Sequence, residues 1–417
     1  MKIRKLKIKN YKIFDDVEFD FTDRDGKTLN IVVLAGVNGC GKTTLLELIG
    51  KIFNGDISPL NVDVSIELEF SDKERESIKQ TITSGANIIS STFTDENGEL
   101  NIYDLNNLFL ETNIVFLEGI NKTSKATHSF LNWIKVIQHS WKNFKSIYLP
   151  IKYDNSFIDG FVQILHLDKN KQELKELVIK QLVDNILKNR KISPEKNIAD
   201  LINNVNKQLS GVDFSTKLID IESEELIFES GNGQKIYFEQ LSHGEQNLYF
   251  RALYLNQMHL KNALILADEP ENAFHPTWQQ KIVKLYQNVG ENNQVFLATH
   301  SPHIMASVHP DSLFILHFNG ETRKIEAMNA GKAGKHSKGV EPNRILKEIM
   351  QVEELRDFET KEDIKHLTNL LTMEGFETPE ALDLIEKLTV NLGRQDPFIM
   401  RLEHRLLMLR RQQQQPA

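Results

Sequence analysis

Eight residues after a short apolar run carry the most specific chemistry in the chain. Gly36-Val37-Asn38-Gly39-Cys40-Gly41-Lys42-Thr43 fits the spacing G-x-x-x-x-G-K-[ST]. Glycines at this spacing let backbone N–H groups turn into one concavity, where they can cradle phosphate oxygens. A helix beginning at the same place adds its partial positive charge. Lys42 is expected to reach the β- and γ-phosphates of a nucleoside triphosphate, and the Thr43 hydroxyl to ligate Mg²⁺. The expected nucleotide contacts are Gly36, Asn38, Gly39, Cys40, Gly41, Lys42, Thr43 and Thr44. Cys40, the sole cysteine, fills a free position of the motif.

A second set of groups supplies what a phosphate loop lacks. Asp268-Glu269 ends the apolar run Ala263–Ala267, and two adjacent carboxylates at a strand end can divide labour. Asp268 is read as the Mg²⁺ ligand and Glu269 as the group that orients and deprotonates an attacking water. His300 follows the run Gln294–Thr299, where an imidazole can sense the γ-phosphate and touch that water. Leu241-Ser242-His243-Gly244-Glu245 reads locally as a helix start, with Ser242 as N-cap and Glu245 three residues on.

These groups need strands that end together and helices that begin there. Ile31–Ala35, Ala263–Ala267 and Gln294–Thr299 are short continuous apolar runs, as expected of strands buried on both faces. Thr43–Ile52 and Leu248–Met258 read as helices, and the first residues and Val62–Phe70 as alternating strands. A capping box at Ser71–Glu74 opens a polar helix, and helices are expected over Lys125–Phe144 and Lys171–Arg190. Ser193-Pro194 starts another helix, and Lys217–Phe238 holds two or three strands around a Gly231-Asn232-Gly233 turn.

The order of the motifs resembles the nucleotide-binding domain of the ABC superfamily, in its SMC and recombination-ATPase branch. The carriers are the phosphate loop, the L-S-x-G-E signature, Asp268-Glu269-Pro270 and Thr299-His300-Ser301. Asp268 to Pro276, D-E-P-E-N-A-F-H-P, is similar to stand-alone bacterial ATPases of the overcoming-lysogenization-defect type and their anti-phage relatives. Gly339 to Met350, followed by helical periodicity, resembles the C-terminal region of the ATPase subunit of Septu-type defence, also found with some retrons. The resemblance implies an α/β fold: an ABC-type ATPase core of mixed sheet and flanking helices, an inserted mostly helical region and an all-helical tail. The expected bounds are 1–70 and 216–328 for the core, 71–215 for the insertion, 329–340 for a linker and 341–417 for partner-docking helices.

The resemblance further implies ATP and Mg²⁺ as cofactors and hydrolysis to ADP and phosphate. It also implies a head-to-tail homodimer, or a higher even-numbered homo-oligomer. There Ser242, Gly244 and Glu245 would meet the γ-phosphate of the opposite subunit, and Glu271 and Asn272 would lie in a loop that crosses to it. The implied role is regulation of a separate effector such as a nuclease in anti-phage defence. The alternative is a repair ATPase of the RecF type that binds DNA itself. No position between Lys42 and Ser242 matches the family's glutamine loop.

Composition bounds these readings. The chain has 417 residues, a net charge of −8 and 26% charged residues, which excludes a strongly basic nucleic-acid coat. One cysteine excludes a disulfide framework, and with no apolar leader or membrane-length run the expected location is cytoplasmic. Nucleic acid stays open as a partner, direct or through the effector, because basic residues cluster locally. Lys2, Arg4, Lys5, Lys7 and Lys9 share the first strand, and Arg394–Arg411 holds five arginines against two acids. Heptads long enough for SMC arms are missing, and the helical tail lacks the paired acids of a TOPRIM nuclease.

Overall fold

A computed structural model describes residues 1–54, 63–72, 114–120, 146–149, 193–210, 216–222, 225–257, 260–272, 274–352, 356–373 and 378–413. The helices expected over Lys125–Phe144 and Lys171–Arg190 lie outside them, as do most of the expected insertion and all but Ser71 and Asp72 of the capping box. The chain forms two compact units, Met1–Met350 and Gln351–Ala417.

In the first unit, the apolar runs become a six-stranded sheet. Its strands are β3 (Ile31–Ala35), β6 (Ser146–Leu149), β10 (Leu264–Asp268), β11 (Gln294–Thr299), β12 (Leu313–Asn319) and β13 (Lys324–Asn329). The order is β13-β12-β3-β11-β10-β6, parallel except for the β12–β13 hairpin. Burial on both faces explains the continuous apolar runs, because alternate residues enter different cores. Val32 and Leu34 join one core with Leu264, Leu266 and Phe296. Ile31, Val33 and Ala35 join the other with Ile265, Ala267, Val295 and Leu297.

The first core is closed by α1 (Lys42–Asn54), through Leu45, Leu46, Leu48 and Ile49, and by an antiparallel sheet. That sheet is ordered β2-β1-β4-β5, from β1 (Lys2–Lys9), β2 (Val17–Asp20), β4 (Asp63–Glu69) and β5 (Ile114–Ile120). Gln294 ties the two sheets. Its amide donates to the carbonyls of Ile3 (2.8 Å) and Leu29 (3.0 Å) and accepts from the Ile3 N–H (2.6 Å).

The second core is covered by α2 (Pro194–Gln208), α3 (His243–Gln257), α4 (Pro276–Gln279), α5 (Ile282–Gln287), α6 (Pro302–Met305) and α7 (Pro342–Glu348). A three-stranded sheet of β7 (Thr216–Glu222), β8 (Glu225–Ser230) and β9 (Lys235–Tyr237) adds Leu218 and Phe228. Ser193 caps α2 by accepting from the Lys196 N–H at 3.3 Å, with Pro194 in the first turn.

Two strands of these sheets, β5 and β6, come from inside the span 71–215 expected to be an insertion. Residues 329–340 also depart from the linker expectation. Ala330 and Ser337 are buried, the Ser337 hydroxyl donates to the Val308 carbonyl (2.8 Å), and the Gly339 N–H donates to the Ala306 carbonyl (2.8 Å). Gly331 lies so close to Asp311 that an added Cβ would collide with its carboxylate, so this glycine serves packing rather than freedom. Ile345 and Ile349 then carry 341–350 into the second core of the first unit.

The second unit is a three-helix assembly of α8 (Phe358–Met373), α9 (Pro379–Leu392) and α10 (Pro397–Gln413). Leu367, Leu371, Leu384, Leu388, Ile399 and Leu402 form its core. Arg356 grips both oxygens of Asp396 at 2.8 and 3.0 Å, and Lys387 spans Glu359 and Asp363 at 2.9 and 2.8 Å. Met400, Arg401, Arg405, Leu407 and Met408 face solvent on α10.

Candidate nucleotide-binding site

Strand register brings the chemistry to one edge. Asp268 pairs with Ala298, and Thr299 pairs with Ala35, so β3, β10 and β11 end side by side in the parallel sheet. The glycine loop, Asp268-Glu269 and His300 leave from that edge, where ligands of parallel α/β sheets bind.

The loop's backbone is set by its glycines. Gly36, Gly39 and Gly41 have φ of +151°, +81° and +93°, which side-chain-bearing residues rarely adopt. Gly36 is also confined: an added Cβ would run into the Leu316 carbonyl oxygen and sit 2.6 Å from Cys40 Sγ. Gly39 is open, with nothing within 4 Å of such a Cβ. Val37, Asn38, Gly39 and Thr43 are exposed and Thr44 half-buried, whereas Cys40 is a buried free thiol.

Lys42 folds back into the loop. Its Nζ donates to the carbonyls of Gly36 (2.9 Å) and Val37 (3.2 Å) and lies 3.7 Å from Cys40 Sγ. Burial pulls its pKa below the usual lysine value, opposed by Cys40 and by the carboxylates of Asp268 and Glu269. Those weak carbonyl partners are ones that phosphate oxygens can replace.

The Thr43 hydroxyl donates to Asp268 Oδ2 at 2.7 Å. These two oxygens are hard donors of the kind Mg²⁺ takes beside phosphates, so the residues fit the ion. Asp268 is 6% exposed, and burial pushes its pKa up to about 6 despite the Thr43 hydrogen bond. A folded-state pKa raised this far makes ionised Asp268 cost about 3 kcal/mol of stability near pH 7.5. The cost is complete above pH 6, shrinks as pH falls, and vanishes below the ordinary value of 3.8. Asp268→Asn, which keeps an acceptor for Thr43, is therefore expected to stabilise the ligand-free chain near pH 7.5 and hardly at all near pH 4. Denaturant midpoints at the two pH values check this, and an equal gain at both would contradict it.

Glu269 leaves β10 with a left-handed φ of +42°, a strained conformation for a residue with a side chain. Its N–H still donates to the Ala298 carbonyl (2.8 Å), so the turn comes immediately after the ladder. Oε1 lies 3.5 Å from His300 Nε2. Burial, then the Lys42 charge, lowers the His300 pKa, which keeps the ring neutral at neutral pH.

Signature residues form a second cluster. Ser242 Oγ accepts from the Glu245 N–H (3.3 Å), and Glu245 Oε2 accepts from the Ser242 N–H (3.0 Å) and hydroxyl (2.8 Å). Glu245 is buried, and its Oε1 accepts from Thr216 Oγ1 at 2.8 Å. The carboxylate expected to face a nucleotide thus braces the helix start from within. Ser242 is exposed, and Gly244 lies against the Trp278 ring, 2.5 Å from where a Cβ would stand.

Glu271 and Asn272 part company. Asn272 is exposed, whereas the Glu271 carboxylate turns inward instead of outward toward a second subunit. The sequence reading also missed Arg251, a buried guanidinium on α3 that donates to the Pro270 carbonyl (2.8 Å) and Tyr286 hydroxyl (2.9 Å). An arginine inside the apolar periodicity of α3 was the available signal.

Residues 31–306 match the family model described as "AAA domain, putative AbiEii toxin, Type IV TA system". The chain is 24% identical over 404 residues to the Septu protein PtuA of Bacillus thuringiensis, covering 92% of this chain and 93% of that protein. It is 23% identical over 422 residues to the retron Vc95 probable ATPase of Vibrio cholerae serotype O1 biovar El Tor, covering 81% and 77%. These are the two kinds of system that the tail resembled. Among solved structures, the Smc head bound to the C-winged helix domain of ScpA is 13% identical at a TM-score of 0.48, covering 80% of this chain and 100% of that one. The SMC head domain from Thermotoga maritima is 14% identical at 0.40, covering 79% and 99%.

Proposed function

Since this chain belongs to that AAA-domain ATPase family, we propose that it binds ATP at the Gly36–Thr44 loop, hydrolyses it, and assembles head-to-tail around it. The observation that carries the reading is the strand edge itself, where Thr43 meets Asp268 and Glu269 meets His300. Lys42 exchanges its loop carbonyls for the β- and γ-phosphates. Thr43 and Asp268 would hold Mg²⁺, which when bound would neutralise charge at the phosphates. Glu269 orients a water and takes its proton, and neutral His300 steadies the water and the γ-phosphate. Ser242 is exposed at the start of α3, beside Gly244 and the Trp278 ring, and this helix N-terminus is the face proposed to meet the γ-phosphate of a second copy. Glu245 contributes by bracing that N-terminus, and Asn272 by its exposed place in the crossing loop.

Similarity to a Septu protein and a retron ATPase supports a place in anti-phage defence, with a separate effector, such as a nuclease, under ATP control. The exposed apolar and basic face of α10 is the docking surface proposed for that partner. Direct DNA binding through β1 fits the structure less well. Arg4 and Lys5 both pair with Glu67 (2.7 and 3.7 Å), and Lys7 pairs with Asp16 (3.4 Å).

A mixing experiment tests the shared site. Lys42→Ala and Ser242→Arg chains are each expected to be inactive alone. A mixed pair holds one wholly native site, so an equimolar mixture should recover roughly a quarter of wild-type turnover from statistical pairing. A mixture as inactive as its components would mean that no site is shared between copies.

A further inference from the structure

Two residues beyond Glu269, Glu271 holds a buried carboxylate that the hydrolysis scheme leaves unused. Its Oε1 accepts three donors from consecutive residues at the end of β11: the Thr299 hydroxyl, the His300 N–H (3.1 Å) and the Ser301 N–H (3.1 Å). A strand that stops there leaves N–H groups needing acceptors, and one carboxylate oxygen supplies them. We infer that Glu271 is a positioning residue for His300, clamping the end of β11 so that the imidazole stays against Glu269.

Both ends of the clamp are anchored. On the β11 side, Ser301 Oγ donates to Gln279 Oε1 (2.7 Å) and accepts from the N–H groups of His303 and Ile304 (both 3.2 Å). On the other side, Arg251 fixes the Pro270 carbonyl, and the Phe274 N–H returns to the Glu271 carbonyl (2.9 Å). The clamp thus holds the His300 backbone, and the half-buried ring also meets the Gly36 backbone. Burial raises the Glu271 pKa, and the Thr299 hydroxyl and the His300 N–H oppose that rise. Burying a carboxylate is costly, and these donors are what offset the cost. Glu269 and His300 gain a fixed 3.5 Å separation from it.

The inference rests on the reading of His300 as part of an ATP-hydrolysing site, so its test has an arm that does not need turnover. Glu271→Ala is expected to lower kcat by about 10- to 100-fold while nucleotide affinity stays within about twofold, because misplacing a catalytic group costs rate rather than binding. Glu271→Ala combined with His300→Ala should be no slower than His300→Ala alone. Losses that multiply in the double variant would overturn the proposal. Should Glu271→Ala fail to fold, Glu271→Gln retains volume and one acceptor oxygen and should lose less rate, with the same non-additivity. If the wild-type chain shows no turnover, the functional reading fails, and the ring ¹⁵N resonances of His300, assigned with His300→Ala, decide the clamp separately. They should move in Glu271→Ala or Glu271→Gln, and unchanged resonances would overturn it.

Discussion

Glu269→Gln chains should keep bound ATP and turn it over about a hundred- to ten-thousand-fold more slowly than wild type, the range a positioned general base contributes. The substitution preserves size, so the left-handed turn that carries residue 269 and its N–H bond to Ala298 survive. Thr43 and Asp268 are untouched, and so is the Lys42 cradle. What disappears is the half-buried carboxylate within reach of His300 at the strand edge, the group proposed to take a proton from water. Phosphate release and the nucleotide retained through gel filtration check the two halves. Because ATP is not consumed, the assembly should also stay at twice the mass or a higher even multiple in light scattering. Loss of nucleotide binding together with turnover would show that Glu269 serves the fold of the loop instead.

Gly36→Ala should be the most damaging substitution within the loop. A methyl there meets the Leu316 carbonyl, which belongs to β12 and cannot swing aside as a side chain can, and also Cys40 Sγ. With a φ of +151°, the backbone adds conformational strain, so a loss of about 3 kcal/mol in stability is expected, with nucleotide binding abolished. Gly39→Ala is the internal control. Its φ of +81° carries the left-handed penalty of about 1 to 2 kcal/mol, but the space around it is open. Denaturant midpoints of the two variants should differ by more than about 1 kcal/mol. Equal midpoints would remove the packing argument at Gly36.

The phosphate loop, the carboxylate pair and the histidine were legible because each lies next to a fully apolar strand, and such strands in a parallel sheet share one functional edge. Motif spacing pointed to Thr43, and strand-end position with motif order pointed to Asp268, Glu269 and His300; the register of β3, β10 and β11 explains why they converge. Three features were not legible. Glu245 reads as a ligand in a signature motif, yet its second oxygen is taken by Thr216, 29 residues away. Glu271 reads as a loop residue facing outward, and only the folded backbone reveals that β11 stops within its reach. Residues 329–340 have the composition of a linker, but their glycine and serine are small so that the chain can pack, as Gly331 does on Asp311. Local composition reports what a residue permits, whereas long-range partners decide what it does.

The basic strand β1 teaches the same lesson about charge. A row of Lys and Arg invites a nucleic-acid reading, but Glu67 and Asp16 neutralise much of it within the chain. Among the described residues, Met400, Leu407 and Met408 are exposed on α10, the surface proposed for a second protein.

One measurement tests the central claim most directly: phosphate released when the purified wild-type chain is mixed with Mg²⁺ and an equal amount of ATP. Release should approach one phosphate per chain, while Lys42→Ala remains at background. Wild-type release no greater than that of Lys42→Ala would contradict an ATP-hydrolysing site at the Gly36–Thr44 loop.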